Sequence, residues 1–193
     1  MASKLNIINL ALTHIAQTNI TQVQLDAATT TVQAKVALAL WEITRQQVLR
    51  SYNWAFAKVQ EALVVTTDYD PVIYDYAYVY PANCLAIRKV NVQTQIDEAI
   101  SGLYEVMLDT DNSAKRIVTD IEDAYIEYTY DIDTPSLFDS AFVVAFARRL
   151  AAEMVIPFGG DKELAREQAE LANATLSDAK RHDSSLSGEN RKG

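Results

Sequence analysis

The sequence is short of cysteine, histidine, glycine and proline, and each shortage closes off a class of chemistry. One cysteine, Cys84, stands among 193 residues, so no disulfide forms within the chain. With only His14 and His182 beside it, the chain cannot supply the clustered Cys and His ligands of an ordinary zinc site. A Cys-His or Ser-His-Asp site would have to use His14, in a helical pattern, or His182, in a polar segment. Neither offers a base held rigidly beside a nucleophile. The mid-chain glycines are Gly102 and the pair Gly159-Gly160, so no GxGxxG or GxxxxGK[ST] phosphate loop can be written. No apolar run approaches the roughly 18 residues of a spanning helix, and Met1 to Leu5 lack the start of a signal-peptide core. The expectation is a protein made and kept in the cytoplasm unless it leaves within a larger particle.

What is present describes a folded chain. It is 49% hydrophobic and 22% charged, values that exclude a disordered polymer. The net charge of −9 is unevenly spread. From Glu61 to Asp133 there are fifteen acids against four bases, Arg88, Lys89, Lys115 and Arg116. A surface that grips phosphates needs clustered Lys and Arg, so this middle stretch can face DNA without holding it.

The same stretch holds nine of the ten tyrosines and reads as strands. Tyr74, Tyr76, Tyr78 and Tyr80 alternate with other residues, giving a strand with one aromatic face. Leu85–Val92 and Ala124–Tyr130 read as further strands. Tyr104–Leu108 and Arg116–Thr119 flank Asp109-Thr110-Asp111-Asn112-Ser113, a hairpin turn. That turn loosely echoes a calcium loop, but Ala114 replaces the glycine and Asp120 the glutamate. The acidic groups Asp68/Asp70/Asp75 and Glu127/Asp131/Asp133 fit solvated turns and strand ends better than an acid–base pair.

Helical patterns flank the strands. Leu5, Ile8, Leu12 and Ile15 recur at helical spacing after Ser3, a candidate N-cap. From about Ala27 to Tyr52 two apolar stripes appear, Val32/Val36/Ala39/Leu40/Ile43 and Ala34/Leu38/Trp41/Val48. They predict a helix of roughly 35 Å packed between neighbours. A third helix follows Thr134-Pro135-Ser136 to about Ile156, apolar nearly all round except Arg148, Arg149 and Glu153. Buried arginines need partners: Glu42, Glu153 or a neighbouring subunit. Asp161 is placed to cap a fourth helix, whose small stripe Ala165, Ala169, Ala172, Leu176 and Ala179 allows close packing within the chain or against a copy. From His182 to Gly193 the composition is polar and predicts a disordered tail. The fold class expected is α+β: about four helices, with an antiparallel sheet inserted between helices 2 and 3. The domains are a helical core (residues 1–56 and 134–181), an acidic β insertion (57–133) and a flexible tail (182–193).

Three stretches make this order of elements resemble a known family. They are Val48-Leu49-Arg50-Ser51-Tyr52-Asn53-Trp54-Ala55-Phe56, with its W-x-F; Tyr80-Pro81-Ala82-Asn83-Cys84-Leu85 with the strands that follow; and Phe138-Asp139-Ser140-Ala141-Phe142 through Arg148-Arg149-Leu150-Ala151-Ala152-Glu153. The chain resembles the head-to-tail adaptors of short-tailed bacteriophages, also called tail tubular protein A, over nearly its whole length. The resemblance implies a structural virion protein without cofactor or catalytic role. Such adaptors form a ring of about twelve copies under the portal, closed by heterologous contacts. The ring extends the DNA channel, through which DNA passes without sequence-specific binding, and docks the tail nozzle protein. The portal-binding residues it implies are Lys180, Arg181, His182, Leu186, Arg191 and Lys192. Candidate contacts between subunits are Arg148, Arg149, Ala165, Ala169, Ala172 and Leu176. A monomer before assembly is expected, with no membrane partner. Two other classes fit the residues: a tail-associated peptidoglycan hydrolase using a pair such as Glu127 and Asp131, and a nonviral interaction module.

Overall fold

Each helix begins where a polar side chain can satisfy its free amides, and these caps set the element boundaries. The protein is seen in a computed structural model that describes residues 1–27, 31–66, 73–92, 103–109 and 113–186. Ser3 Oγ accepts from the Asn6 N–H at 3.1 Å and starts α1 (Lys4–His14). A reciprocal Thr21–Gln24 capping box starts the short α2 (Gln22–Asp26). Thr31 Oγ accepts from the Ala34 N–H at 3.1 Å and starts α3 (Val32–Arg50). α3 therefore begins five residues after Ala27 and spans about 28 Å, shorter than its apolar pattern predicts. Asp139 caps α4 (Ser140–Met154), and Asp161 caps α5 (Lys162–Leu186) through the Leu164 N–H at 2.8 Å. Gly159, at φ +81°, takes the left-handed turn between them.

The fold is α+β. The chain divides into two compact units, Met1–Phe56 with Ile132–Gly193, and Ala57–Asp131. The first is helical. α4 is its centre, packed by α1, α3 and α5. Phe142, Ala145, Phe146, Ala147, Leu150, Ala151 and Met154 are all buried, as an all-round apolar helix requires. On α3 the buried face is Ala34, Ala37, Trp41, Thr44, Arg45, Val48 and Leu49. Rings from three segments meet beside it. Trp54 packs edge-on against Phe142 at 5.1 Å, Phe56 against Phe142 at 4.9 Å and Phe138 against Phe142 at 5.0 Å. The Trp54 indole N–H donates to the Val48 carbonyl at 3.0 Å, so the ring is buried without an unpaired donor.

Arg45 is the charge inside this unit. It is 1% exposed and donates to the Ile132 carbonyl and to the Glu42 carboxylate. The Lys4 ammonium lies over the Trp41 ring at 5.0 Å. Burial pushes the Lys4 pKa down, Glu42 raises it and Arg45 lowers it further.

The second unit holds two three-stranded antiparallel sheets, where the sequence pattern predicts one. The first has the order β1-β6-β3, from β1 (Lys58–Ala62), β6 (Ala124–Tyr130) and β3 (Cys84–Val92). The second has the order β2-β5-β4, from β2 (Tyr76–Val79), β5 (Lys115–Thr119) and β4 (Tyr104–Leu108). Strand β1 adds to the expected set. Lys-Val-Gln-Glu-Ala has little β propensity, and its last three residues are exposed. Both sheets feed one core of Leu63, Tyr78, Val90, Ile117, Ala124, Ile126 and Tyr128. The expected aromatic face is present in part: Tyr76, Tyr78 and Tyr80 contribute to this core, but the strand spans only Tyr76–Val79, and Tyr74 lies before it. The Tyr78 hydroxyl is buried but satisfied, donating to the Ile121 carbonyl at 2.6 Å and accepting from the Ala124 N–H at 3.3 Å.

Two outcomes test this packing. Replacing Phe142 with Ala removes the hub of the ring cluster and is expected to cost about 3–5 kcal/mol, read by denaturant unfolding. Burial first, and then the Glu61 carboxylate, push the Tyr128 phenol up to about 12. A folded pKa above the ordinary tyrosine value means that the unfolded chain loses this proton first. The stability tied to that proton is thus present below about pH 10 and is lost between there and about pH 12. Tyr128→Phe should flatten that alkaline loss; an unchanged alkaline unfolding profile contradicts it.

Candidate interaction surfaces

The stripe on α5 fixes what its end can do. Ala165, Ala169, Ala172, Leu176 and Ala179 recur at alternating spacings of four and three, and the next position in that series is Asp183. Ala172 and Ala179 are buried at 2% and 3% exposure, while Ala165, Ala169 and Leu176 are half-buried. α5 lies along α4. Ala172 is therefore already covered within the protomer, and the small side chains let α5 pack closely inside this unit.

Asp183 is 2% exposed, and both its carboxylate oxygens accept from the Ala55 N–H, at 3.0 and 3.2 Å. This charge-assisted bond ties the last turns of α5 to the segment that follows α3. It corrects the expected tail boundary: residues 182–186 continue the helix, because a buried acid at the core position holds them there. Polar composition alone hides this.

The portal-binding candidates divide accordingly. Arg181 and His182 are exposed on α5, Arg181 pairing with Asp178 one turn earlier, and Lys180 is half-buried. Leu186 is the last residue of the helix. Arg191 and Lys192 lie outside the described residues. Of the two arginines on α4, Arg149 pairs with Glu153 at 2.6 Å, one of the internal partners expected for it. Arg148 is half-buried, and its charge adds to burial in pushing the His14 pKa down. Glu42, the other expected partner, serves Arg45 instead. Sequence reasoning missed Arg45, although an arginine within the Trp41/Val48 stripe was a visible signal.

The two apolar stripes of α3 predict packing on both sides. On one stripe Ala34, Trp41 and Val48 are buried and Leu38 is half-buried; on the other Val32 is 61% and Ile43 57% exposed, Ala39 is exposed, and Val36 and Leu40 are half-buried. This leaves an apolar helix face open on the helical unit.

The β unit carries fourteen acidic and five basic residues, and Glu61, Asp75, Glu105, Asp120, Glu122 and Asp123 are all exposed. In the loop that echoes a calcium site, residues 110–112 lie outside the described residues, and Asp109 and Asp120 are used locally. Asp109 is buried and accepts from the Ser113 N–H at 2.8 Å and the Ser113 hydroxyl at 3.0 Å, while Asp120 accepts from the Asp75 N–H at 3.1 Å. Among the described residues no group of three or more metal-ligating side chains occurs. Glu127, on the middle strand β6, accepts from the Gln60 amide at 2.6 Å. Among the described residues no helix is long and apolar enough to cross a membrane.

Comparison with protein-family models and with curated proteins gives no match. The surfaces themselves carry the functional reading: the exposed Arg181 and His182 on α5, the open stripe of α3 and the acidic β unit.

Replacing Asp183 with Ala leaves the Ala55 N–H without its acceptor and is expected to cost about 1–3 kcal/mol. Amide exchange at Ala55 should accelerate in step. Arg149→Ala breaks a half-exposed i,i+4 pair and should cost less than about 1 kcal/mol in the same unfolding assay.

Proposed function

We propose that this chain is a head-to-tail adaptor of a short-tailed bacteriophage, a structural protein that joins copies of itself in a ring beneath the portal. The ring extends the DNA channel and docks the nozzle protein below. One observation carries the reading. The W-x-F and F-D-x-x-F stretches of the resemblance lie about eighty residues apart, yet Trp54, Phe56, Phe138 and Phe142 pack into one cluster. Asp139, the acid of the second stretch, caps α4. These motif residues thus serve one structural purpose, as residues of a shared fold do.

Other features support the same role. A ring built by rotation needs two different faces on each subunit. The open α3 stripe offers an apolar face, and the acidic β unit offers a surface that repels DNA phosphates. An acidic channel wall lets DNA slide, because it provides no cations to hold the backbone. The basic Lys180, Arg181, Arg191 and Lys192 near the C-terminus suit a portal contact made by the end of the chain. The virion, at the head–tail interface, is the place this role implies.

Mixing the protein with its phage's portal ring and measuring mass by light scattering tests the role. About twelve added copies per portal ring are expected. A chain ending at Leu186 should remain folded, because it keeps Asp183, but should bind the portal weakly. A portal that gains no mass overturns the adaptor reading.

A further inference from the structure

Strand β4 is an edge with a single charge, Glu105. Among the described residues its one partner strand is β5, paired from Tyr104↔Thr119 to Leu108↔Lys115. Its sequence, Tyr-Glu-Val-Met-Leu, has no lysine or proline to discourage a further strand. Leu108 is 58% exposed, Val106 45% and Met107 43%, and Leu103 just before them is 86% exposed. The other sheet edges differ: β1 carries Lys58 and Glu61, β3 carries Arg88 and Lys89 with breaks in its register, and β2 has its outer side bonded by residues 64–66, the Val79 N–H donating to the Val64 carbonyl at 2.8 Å and the Thr66 N–H to the Ala77 carbonyl at 2.9 Å.

The hydrogen-bond phase of the hairpin says which groups the edge presents. The Asp109 N–H donates to the Ala114 carbonyl at 2.9 Å, and the Thr119 hydroxyl donates to the Leu103 carbonyl at 2.9 Å. Residues 103, 105, 107 and 109 thus turn their backbone groups toward β5. Tyr104, Val106 and Leu108 turn theirs outward.

We propose that this edge pairs with the β4 edge of a second copy, antiparallel and centred on Val106. The phase fits: Tyr104 meets Leu108 of the other copy and Val106 meets Val106, each as a hydrogen-bonded pair. Glu105 then falls opposite Met107 in the closer, non-hydrogen-bonded pairs. No like charges oppose one another, and an aromatic residue faces an aliphatic one at each end. A parallel pairing in register would instead stack Glu105 beside Glu105. The antiparallel pairing joins two three-stranded sheets into one of six strands. Being two-fold, it is closed and covers both edges, so it holds free chains as pairs rather than as growing fibres. The proposal stands independently of the adaptor reading, which by itself expects a free monomer.

The test is the mass of the full chain alone, by sedimentation across a concentration series. The expected result is reversible doubling of the protomer mass. Met107→Glu sets a new carboxylate against Glu105 of the second copy at both ends of the pair, and should weaken association about tenfold. Within the protomer the new acid faces Arg116, so an unchanged melting curve should confirm folding. Adding Glu105→Lys to Met107→Glu restores opposite charges across the pair and should restore the doubling. Three results would overturn the proposal: a wild-type chain that stays single at every concentration, M107E associating as wild type does, or a double variant that remains as weak as M107E. Portal binding in the separate mixing experiment is read independently, so failure of one reading is not failure of the other.

Discussion

The contact on which the helical unit depends is the stack of rings around Phe142. It joins segments that the chain separates by the whole β unit. Trp54 and Phe56 come from the exit of α3, Phe138 and Phe142 from the entry to α4, and Phe56 and Phe138 lie 5.9 Å apart. Bringing such distant segments together costs loop-closure entropy, which grows only slowly with loop length. A cluster of large rings, each burying much area and meeting edge to face, offsets it. The β unit is thus inserted between two chain ends that the helical unit already fixes.

Charge is managed differently in the two units. In the helical unit the buried charges are individually held: Arg45 by Glu42 and the Ile132 carbonyl, and Asp183 by the Ala55 N–H. Removing one partner from such a pair leaves an uncompensated buried group, so both arrangements specify local geometry more than they add net stability. Among the described residues of the β unit, Glu61, Asp75, Glu105, Asp120, Glu122 and Asp123 stand in water, and their repulsion is tolerated because water screens exposed like charges. Asp109 is buried instead, turned into its own hairpin and 3.9 Å from Arg116.

Much of this is legible in the sequence. Alternation locates β6 to the residue, because every second side chain of Ala124–Tyr130 enters the core shared by both sheets. Ser3 and Asp161 announce the starts of α1 and α5, because cap chemistry is local. The remainder depends on partners that a sequence does not display. Composition misplaces the start of α3 at Ala27, whereas Thr31 has the cap. The end of α5 reads as tail because an acid at a core position looks like solvent-facing polarity until its acceptor role toward Ala55 is seen. The division into two sheets follows from strand pairing, which composition does not encode. Of the candidate interaction residues, Ala172 and Arg149 already have partners inside the protomer, while Arg181 and His182 are exposed.

The proposed role is a ring of copies of this chain on a portal. Electron microscopy of portal rings incubated with the full chain tests it most directly. The account predicts a second coaxial ring beneath the portal, with one subunit of this chain in each portal position and an open central channel. Bare portals, or chains attached singly without a ring, would contradict it.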